Sequence, residues 1–554
     1  GQISPRRSDG LFGATLNVNN LNLAAYGAMG QVPTWLWQLP PLSVSVQFDR
    51  LSLGDAFAQN VALEAELKDR LLTLKSADAV DFGGNKIRLA GTLSAEAEQD
   101  ADFTLRLITP DFARFSRDLP LTAPLLPATL ASWLEGTTDL SVRWKRSSGE
   151  TQQMSSVSFP AGRMDVVQTR RTQAPASWKA RVQSRESATV LARLVPQALA
   201  QPTAILGPLD LYAEGSALDN NRWQIESIQG QVAGMTVRDG ELVVAPGTAP
   251  RVDGRLLVRQ ANLGLWRQTL NLPALGQALS ASVALSIDEL ALGGDLVTDA
   301  QVKLGLESDG GFELSGVQGR WRDGSVSGSL AGRIVAPYKL KGEISITETN
   351  VTLAGGDRYG VDGMLDFSLR AEGEGASWPD VLRNLQGDGE FALDSGTLQG
   401  IDFAELTRSL LDKDRSQEVT DLLAQAGNSP LSSFGGDFTI EDGVLAAPQL
   451  RLRTPAASAE LKATVDLPSR RTDAVATVSL RELASLPPFT LQLSGQPQAL
   501  EGRFDTAALA AKLGAPSVQA ASVAKTDTPA AATEVEDGTL AMRQPQLPQP
   551  PDLA

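Results

Sequence analysis

The sequence predicts an all-β protein with a few helices. Short runs alternate apolar and polar residues, 50 glycines and 31 prolines interrupt the 554-residue chain, and Asp-Gly pairs separate many of the runs, as they do in β-hairpins. We expect an elongated, curled and mostly antiparallel sheet built from repeating units. Its apolar face would form an open groove, which amphipathic helices cover or cap.

The strand pattern itself suggests which side chains line the groove. The run "SVSVQFDRLSLGD" places Val44, Val46 and Phe48 on one side of a strand, and Leu491 and Leu493 alternate in the same way near the C-terminal end. We expect these five residues to contact the contents of the groove. The pattern leaves open which face of each strand points inward.

Turn signals divide the central part of the chain into hairpins. The segment "QVKLGLESDGGFELSGVQGRWRDGSVSGSLAGR" indicates three or four strands with turns at 308–310 and 322–324. Further hairpin turns are predicted at 238–240, 394–396 and 441–443.

An internal repeat sets the predicted domain organisation. Residues 15–55 match 256–294, so that Leu16 falls on Leu256 and Leu51 on Leu290. A unit of a few strands cannot bury its apolar face alone, and successive units are therefore expected to extend one sheet. The predicted domains are repeating groove units over 1–376, a C-terminal region over 377–513, and a disordered Ala/Pro/Gln-rich tail over 514–554.

One helix has a well-marked start. Asp402 is a good N-cap, with Glu405 three residues later as a capping-box acid. In the helical segment predicted over 402–427, Phe403, Leu406 and Leu410 share one stripe. We expect this segment, beginning at Asp402, to cap the groove. An ordinary helix packed on a core is the alternative.

The composition excludes several classes of function. A net charge of −16 disfavours nucleic-acid binding, which needs clustered Lys and Arg. The absence of cysteine and histidine removes Ser-His and Cys-His catalysis and both thiolate and imidazole metal sites. We therefore expect no enzyme, no catalytic or metal site and no cofactor. A pair of carboxylates brought together by the fold is the alternative that stays open.

The segment from Ser377 to Leu467 resembles the C-terminal region of the AsmA family of bacterial envelope proteins, which are related to bridge-like lipid-transfer proteins. The match is carried by "LQGDG" from Leu385, by "GID" from Gly400, and by the Asp-Gly pair at 442–443 before "VDL". Two features depart from the family pattern. "SSF" stands at 432–434 where Thr-x-Phe is usual, and the N-terminal membrane helix is absent from this chain.

The resemblance implies a location and a function. It implies a periplasmic body, a missing N-terminal helix that anchors it in the inner membrane, and a hydrophobic β-groove that carries phospholipids toward the outer membrane. The expected function is non-enzymatic phospholipid transfer that supports outer-membrane biogenesis. The alternative is a periplasmic structural or assembly factor for outer-membrane proteins, which carries no lipid. Expected partners are phospholipids, the inner membrane, and outer-membrane or periplasmic proteins, but not nucleic acid.

Overall fold

The computed structural model divides the chain into two compact units, an N-terminal unit of Gly1–Leu279 and a C-terminal unit that begins at Ser280. The structure describes residues 1–4, 10–22, 34–53, 56–82, 84–95, 100–112, 136–147, 149–194, 206–218, 222–247, 250–269, 274, 279–355, 359–411, 427–496 and 499–513. Both units consist mainly of β-strand with a few short helices, as the sequence predicts.

The N-terminal unit is an antiparallel meander with one parallel pair. Its strands are β1 Gln2–Ser4, β2 Phe12–Asn22, β3 Leu42–Leu53, β4 Ala56–Lys68, β5 Leu71–Phe82, β6 Asn85–Ser94, β7 Ala101–Thr109, β8 Thr138–Ser147, β9 Glu150–Phe159, β10 Gly162–Arg171, β11 Ala174–Ser184, β12 Leu209–Ala217, β13 Trp223–Val232, β14 Met235–Ala245 and β15 Arg251–Asn262. Its helices are a 3₁₀ helix Thr34–Gln38, α1 Ser187–Leu194 and α2 Leu263–Thr269. Each strand pairs with the next one along the chain, and only β2 and β3 run parallel among the described pairs.

The C-terminal unit is antiparallel in all of its described pairs. Its strands are β16 Ser280–Leu292, β17 Asp295–Leu306, β18 Gly311–Trp321, β19 Gly324–Arg333, β20 Tyr338–Gly355, β21 Tyr359–Gly375, β22 Gln386–Gln399, β23 Asn428–Glu441, β24 Val444–Arg453, β25 Ala457–Asp466, β26 Arg471–Leu480, β27 Phe489–Gln496 and β28 Ala499–Asp505. Its helices are α3 Trp378–Arg383, α4 Phe403–Leu411 and α5 Ala507–Leu513. Consecutive strands pair from β16 to β28.

Three of the five predicted turns are confirmed. Residues 308–310 lie between β17 and β18, and 322–323 lie between β18 and β19. In the third, Asp442 and Gly443 have φ angles of 49° and 73°. Two consecutive left-handed residues are what a tight hairpin turn between twisted strands requires.

The other two predicted turns are wrong, because their residues lie inside strands. The prediction at 238–240 falls within β14, where the register with β15 shifts at a bulge between Val237 and Asp239. Gly240 lies beneath the side chains of Leu256 and Ile228, which a Cβ atom would displace. The prediction at 394–396 falls within β22, where Ser395 takes a left-handed φ of 54° without reversing the chain. Turn-forming residues also form bulges.

The predicted repeat and domain boundaries remain predictions. The first copy, 15–55, covers most of β2, the 3₁₀ helix and all of β3. The second, 256–294, covers the last part of β15, then α2 and β16. The predicted boundary at 376 falls between β21 and α3. The strands before and after it, β21 and β22, pair with each other. The predicted tail 514–554, and residues 412–426 of the predicted helical segment, lie outside the described residues.

The strands of each unit have an apolar side and a charged side. In β8, Leu140 and Val142 are fully buried, whereas Arg143 and Lys145 point to the other side and are exposed. Arg143 donates two hydrogen bonds to Asp102 of β7, at 2.8 and 2.6 Å. Exposed ion pairs of this kind add little stability, but they show that the charged face is solvated.

Candidate functional site

The apolar face of the N-terminal unit contains the three predicted residues of β3. Val46 is 9% exposed, Val44 and Phe48 are half-buried, and the polar side chains between them are exposed. The strand register places Val46 between Leu16 of β2 and Leu63 of β4. The structure therefore decides which face of β3 is apolar, and contact of these residues with lipid stays a prediction.

Farther along the same unit, the apolar face is covered. Leu140, Val142 and Val157 form a core cluster with Met164, and Phe112, which follows β7, packs against it. All five side chains are buried. This part of the face is an ordinary protein core.

The predicted groove residues and the predicted helical cap of the C-terminal unit lie in one core cluster. Leu491 is 6% exposed and packs in the same cluster as Phe403, Leu406 and Leu410 of α4, with Leu493 half-buried against it. The cluster also contains residues of every strand from β20 to β28. Helix α4 thus lies on the apolar face of the sheet, and its role as a cap over a groove stays a prediction.

The sheet of the C-terminal unit curls around this cluster. Tyr359 at the start of β21 lies against Gly502 of β28, although six strands lie between β21 and β28 in the sheet order. A Cβ atom at residue 502 would collide with the phenol ring. Glycine is needed there because β21 and β28 approach each other closely across the curled sheet.

The start of α4 is held by two side chains. The Asp402 carboxylate accepts a hydrogen bond from the Glu405 backbone N–H at 2.8 Å, so the predicted N-cap is confirmed. The prediction that Glu405 completes a capping box is wrong. Its carboxylate accepts a hydrogen bond from Ser409 at 3.3 Å and pairs with Arg408 at 2.6 Å instead of accepting from the Asp402 N–H. Ser429 of β23, which the sequence does not single out, binds the backbone on both sides of Asp402, at Ile401 and Phe403. We call this contact between β23 and the start of α4 the junction.

We expect Ser429→Ala to destabilise this junction. The buried Ser429 hydroxyl accepts from the Phe403 N–H at 2.9 Å and donates to the Ile401 carbonyl at 2.8 Å. Its removal leaves both backbone groups buried without a partner, at a cost of about 1–3 kcal/mol in the free energy of unfolding. Urea unfolding measures the change. Ser432→Ala, at an exposed position of the same strand, is the control and should shift stability by less than about 0.5 kcal/mol.

The middle of the apolar face in the C-terminal unit is less covered. Ile344 of β20 is 38% exposed, and the register places it between Gly328 of β19 and Leu369 of β21. Phe367, the next residue of β21 on this face, and Phe391, opposite it on β22, are half-buried and pack against the core clusters. Apolar side chains with this exposure, on the face that elsewhere forms a core, are available to an apolar ligand.

Shifted pKa values in the described residues arise from polar and charged pairs on the charged face, both between neighbouring strands and within one strand. Hydrogen bonds from Arg143 lower the pKa of Asp102. Burial tends to raise the pKa of Asp210, but hydrogen bonds from Arg181 and Gln183 outweigh it and leave that pKa below its usual range. Burial and the Glu214 carboxylate raise the pKa of Tyr212 to about 12. Burial, hydrogen bonds and neighbouring charges within the sheet account for these three shifts.

The described parts of the chain contain neither a metal-binding cluster nor a membrane-spanning helix. There, no group of three or more acidic side chains is arranged to hold a metal ion. Among the same residues, no helix has the length and hydropathy required to cross a bilayer.

Comparison of the chain with protein-family models, with curated proteins and with solved structures finds no match in any of the three. The apolar face, the charged face and the helix on the apolar face are therefore interpreted from their own geometry.

Proposed function

We propose that this chain is a non-enzymatic phospholipid carrier of the bacterial envelope, which moves lipid between the inner and outer membranes along its apolar face. The observation that carries the proposal is the strip around Ile344, where large apolar side chains stay partly exposed on one side of a long sheet. The resemblance of residues 377–467 to the AsmA family supports the same function.

The physical argument concerns what best covers such a strip. Apolar surface in contact with water costs about 25 cal/mol per Å². Acyl chains cover it without directional contacts, so that they are able to slide from one strand to the next. A binding surface of this kind needs no conserved arrangement of polar groups, and it spreads over many strands.

The second candidate function is a periplasmic assembly factor for outer-membrane proteins, and one observation favours it. Helix α4 already occupies the apolar face near β27, where Leu491 was expected to meet lipid. If the rest of the face is covered in a similar way, the charged face would be the binding surface and its partners would be proteins.

The proposed setting follows from the carrier function. We place the chain in the periplasm, held at the inner membrane, as the resemblance to the AsmA family implies. Its partners would be phospholipids and, at the outer membrane, envelope proteins.

The test is lipid retention by the purified chain. After incubation with phospholipid vesicles and removal of the vesicles by gel filtration, native mass spectrometry should show several phospholipids bound to each folded molecule. A folded protein that retains none would refute the carrier function and favour the assembly factor. Circular dichroism checks that the chain remains folded throughout.

A further inference from the structure

Four side chains form a row across neighbouring strands on the apolar face of the N-terminal unit. Trp144 of β8 is opposite Gln153 of β9, Gln153 is opposite Gln168 of β10, and Gln168 is opposite Trp178 of β11. All four are half-buried. We call them the Trp-Gln row, because two amides lie between two indoles.

The Trp-Gln row lies between apolar and basic surroundings. In the neighbouring strands it continues into Phe103 of β7, whose ring lies over Gly91, and then into Leu74 of β5. Arg146 lies two residues after Trp144 in β8, and Arg170 lies two residues after Gln168 in β10. Both arginines are opposite Thr151 of β9. Strand geometry puts the two arginines about 10 Å apart and about 7 Å beyond the row.

Arg146 and Arg170 differ from the other arginines of these strands. Arg143, Arg163 and Arg171 each pair with a carboxylate on the charged face. In the described part of the chain, Arg146 and Arg170 form no ion pair and no side-chain hydrogen bond, and both are exposed. Two unpaired cations at the edge of an apolar face, in a chain of net charge −16, favour an anionic ligand that also has an apolar part.

Two side chains of the row, Trp178 and Gln168, have N–H groups without a hydrogen-bond partner in the described part of the chain. The Trp178 Nε1 atom is buried without a hydrogen-bond partner among the described residues. A buried indole N–H usually has one. Gln168 next to it also makes no side-chain hydrogen bond within the described residues, whereas Trp144 donates to Gln153 at 3.3 Å. The N–H groups of Trp178 and Gln168, which have no partner among the described residues, suit the carbonyl oxygen of an ester.

We propose that Arg146, Arg170 and the Trp-Gln row bind the headgroup of a phosphate-bearing diacyl lipid. The two guanidinium groups bind the phosphate, as arginines commonly do in bidentate fashion. Trp178 and Gln168 donate to the ester carbonyls, and the acyl chains lie along Phe103 and Leu74. The order of apolar, amphipathic and cationic side chains matches the order of chemical groups in the lipid. This inference rests on the proposed carrier function and adds a site where the lipid phosphate is selected.

The experiment compares lipids that share their acyl chains. The full chain is incubated with vesicles that contain phosphatidylglycerol and diacylglycerol, separated from them, and extracted, and mass spectrometry gives the ratio of the two lipids retained. The test variant is Arg146→Gln with Arg170→Gln. The control is Lys145→Gln with Arg171→Gln, which changes the net charge equally in the same two strands but on the charged face.

The parent and the control should retain phosphatidylglycerol in preference to diacylglycerol, and the test variant should lose that preference by at least about fivefold while it still retains diacylglycerol. An unchanged ratio in the test variant, or an equal fall in the control, would overturn the headgroup site and leave the carrier function standing. Displacement of phosphatidylglycerol by soluble glycerol 3-phosphate would also overturn it, since phosphate alone would then suffice. Retention of neither lipid by the folded parent would refute the carrier function itself.

Discussion

Replacing Phe403 by alanine is expected to lower the free energy of unfolding of the C-terminal unit by about 3–5 kcal/mol. Phe403 is 2% exposed and belongs to the cluster that joins α4 to the strands from β20 to β28. Alanine there removes the whole phenyl ring from the centre of a curled sheet. The hydrogen-bonded strands around it hold their positions, so the cavity that the ring leaves stays largely open. Urea unfolding followed by circular dichroism measures the loss.

Leu411→Ala is the matched control for Phe403→Ala. Leu411 ends the same helix but is 58% exposed, so that its truncation should change stability by less than about 0.5 kcal/mol. A loss below about 1 kcal/mol for Phe403→Ala would contradict the interpretation. It would mean that α4 is not an integral part of the core and that the apolar face beneath it is free.

Ile344→Asp is expected to reduce the phospholipid retained by the chain by at least about fivefold, because acyl chains that cover the apolar face would have to bury a carboxylate away from water. Ile344 is 38% exposed, and the substitution therefore places the new charge where water still reaches it. The fold should survive, unlike the fold of a chain with aspartate at buried Leu491. Mass spectrometry of extracted lipid, with circular dichroism on the same sample, measures both effects.

Val475→Asp separates the effect of the face from the effect of the charge. Val475 of β26 is also β-branched and is 42% exposed, but it lies on the charged face between Lys462 and Gln492. Its substitution should leave lipid retention unchanged. Equal losses in the two variants would show that lipid does not distinguish the two faces, and the carrier function along the apolar face would then be wrong.

Much of the fold follows from local patterns. Period-two alternation predicts strands because successive side chains of a strand point to opposite faces. The Asp442-Gly443 turn and the Asp402 cap are also predicted correctly, since each depends on the φ angle or side-chain oxygen of a residue within the same few positions. These features need no information about distant parts of the chain.

The errors and omissions arise where distant segments meet. The local pattern predicts turns at Asp239 and Ser395, but both residues lie at bulges. A bulge depends on the register of the neighbouring strand. Ser429 supports the start of α4 from a strand 26 residues away in sequence. Leu491 has the alternation of a groove residue, but α4 covers it.

The sequence by itself determined that this chain forms strands with one apolar and one polar side, where several of its turns and one helix begin, and that its composition lacks histidine and cysteine chemistry. Only the tertiary structure decided which part of the apolar face is filled by a helix and which part, near Ile344, is more exposed. It also decided that Trp144 and Trp178 lie in one row next to Arg146 and Arg170. The physical reason is that alternation specifies the side of a strand on which a residue lies. Pairing register and long-range packing specify its neighbours.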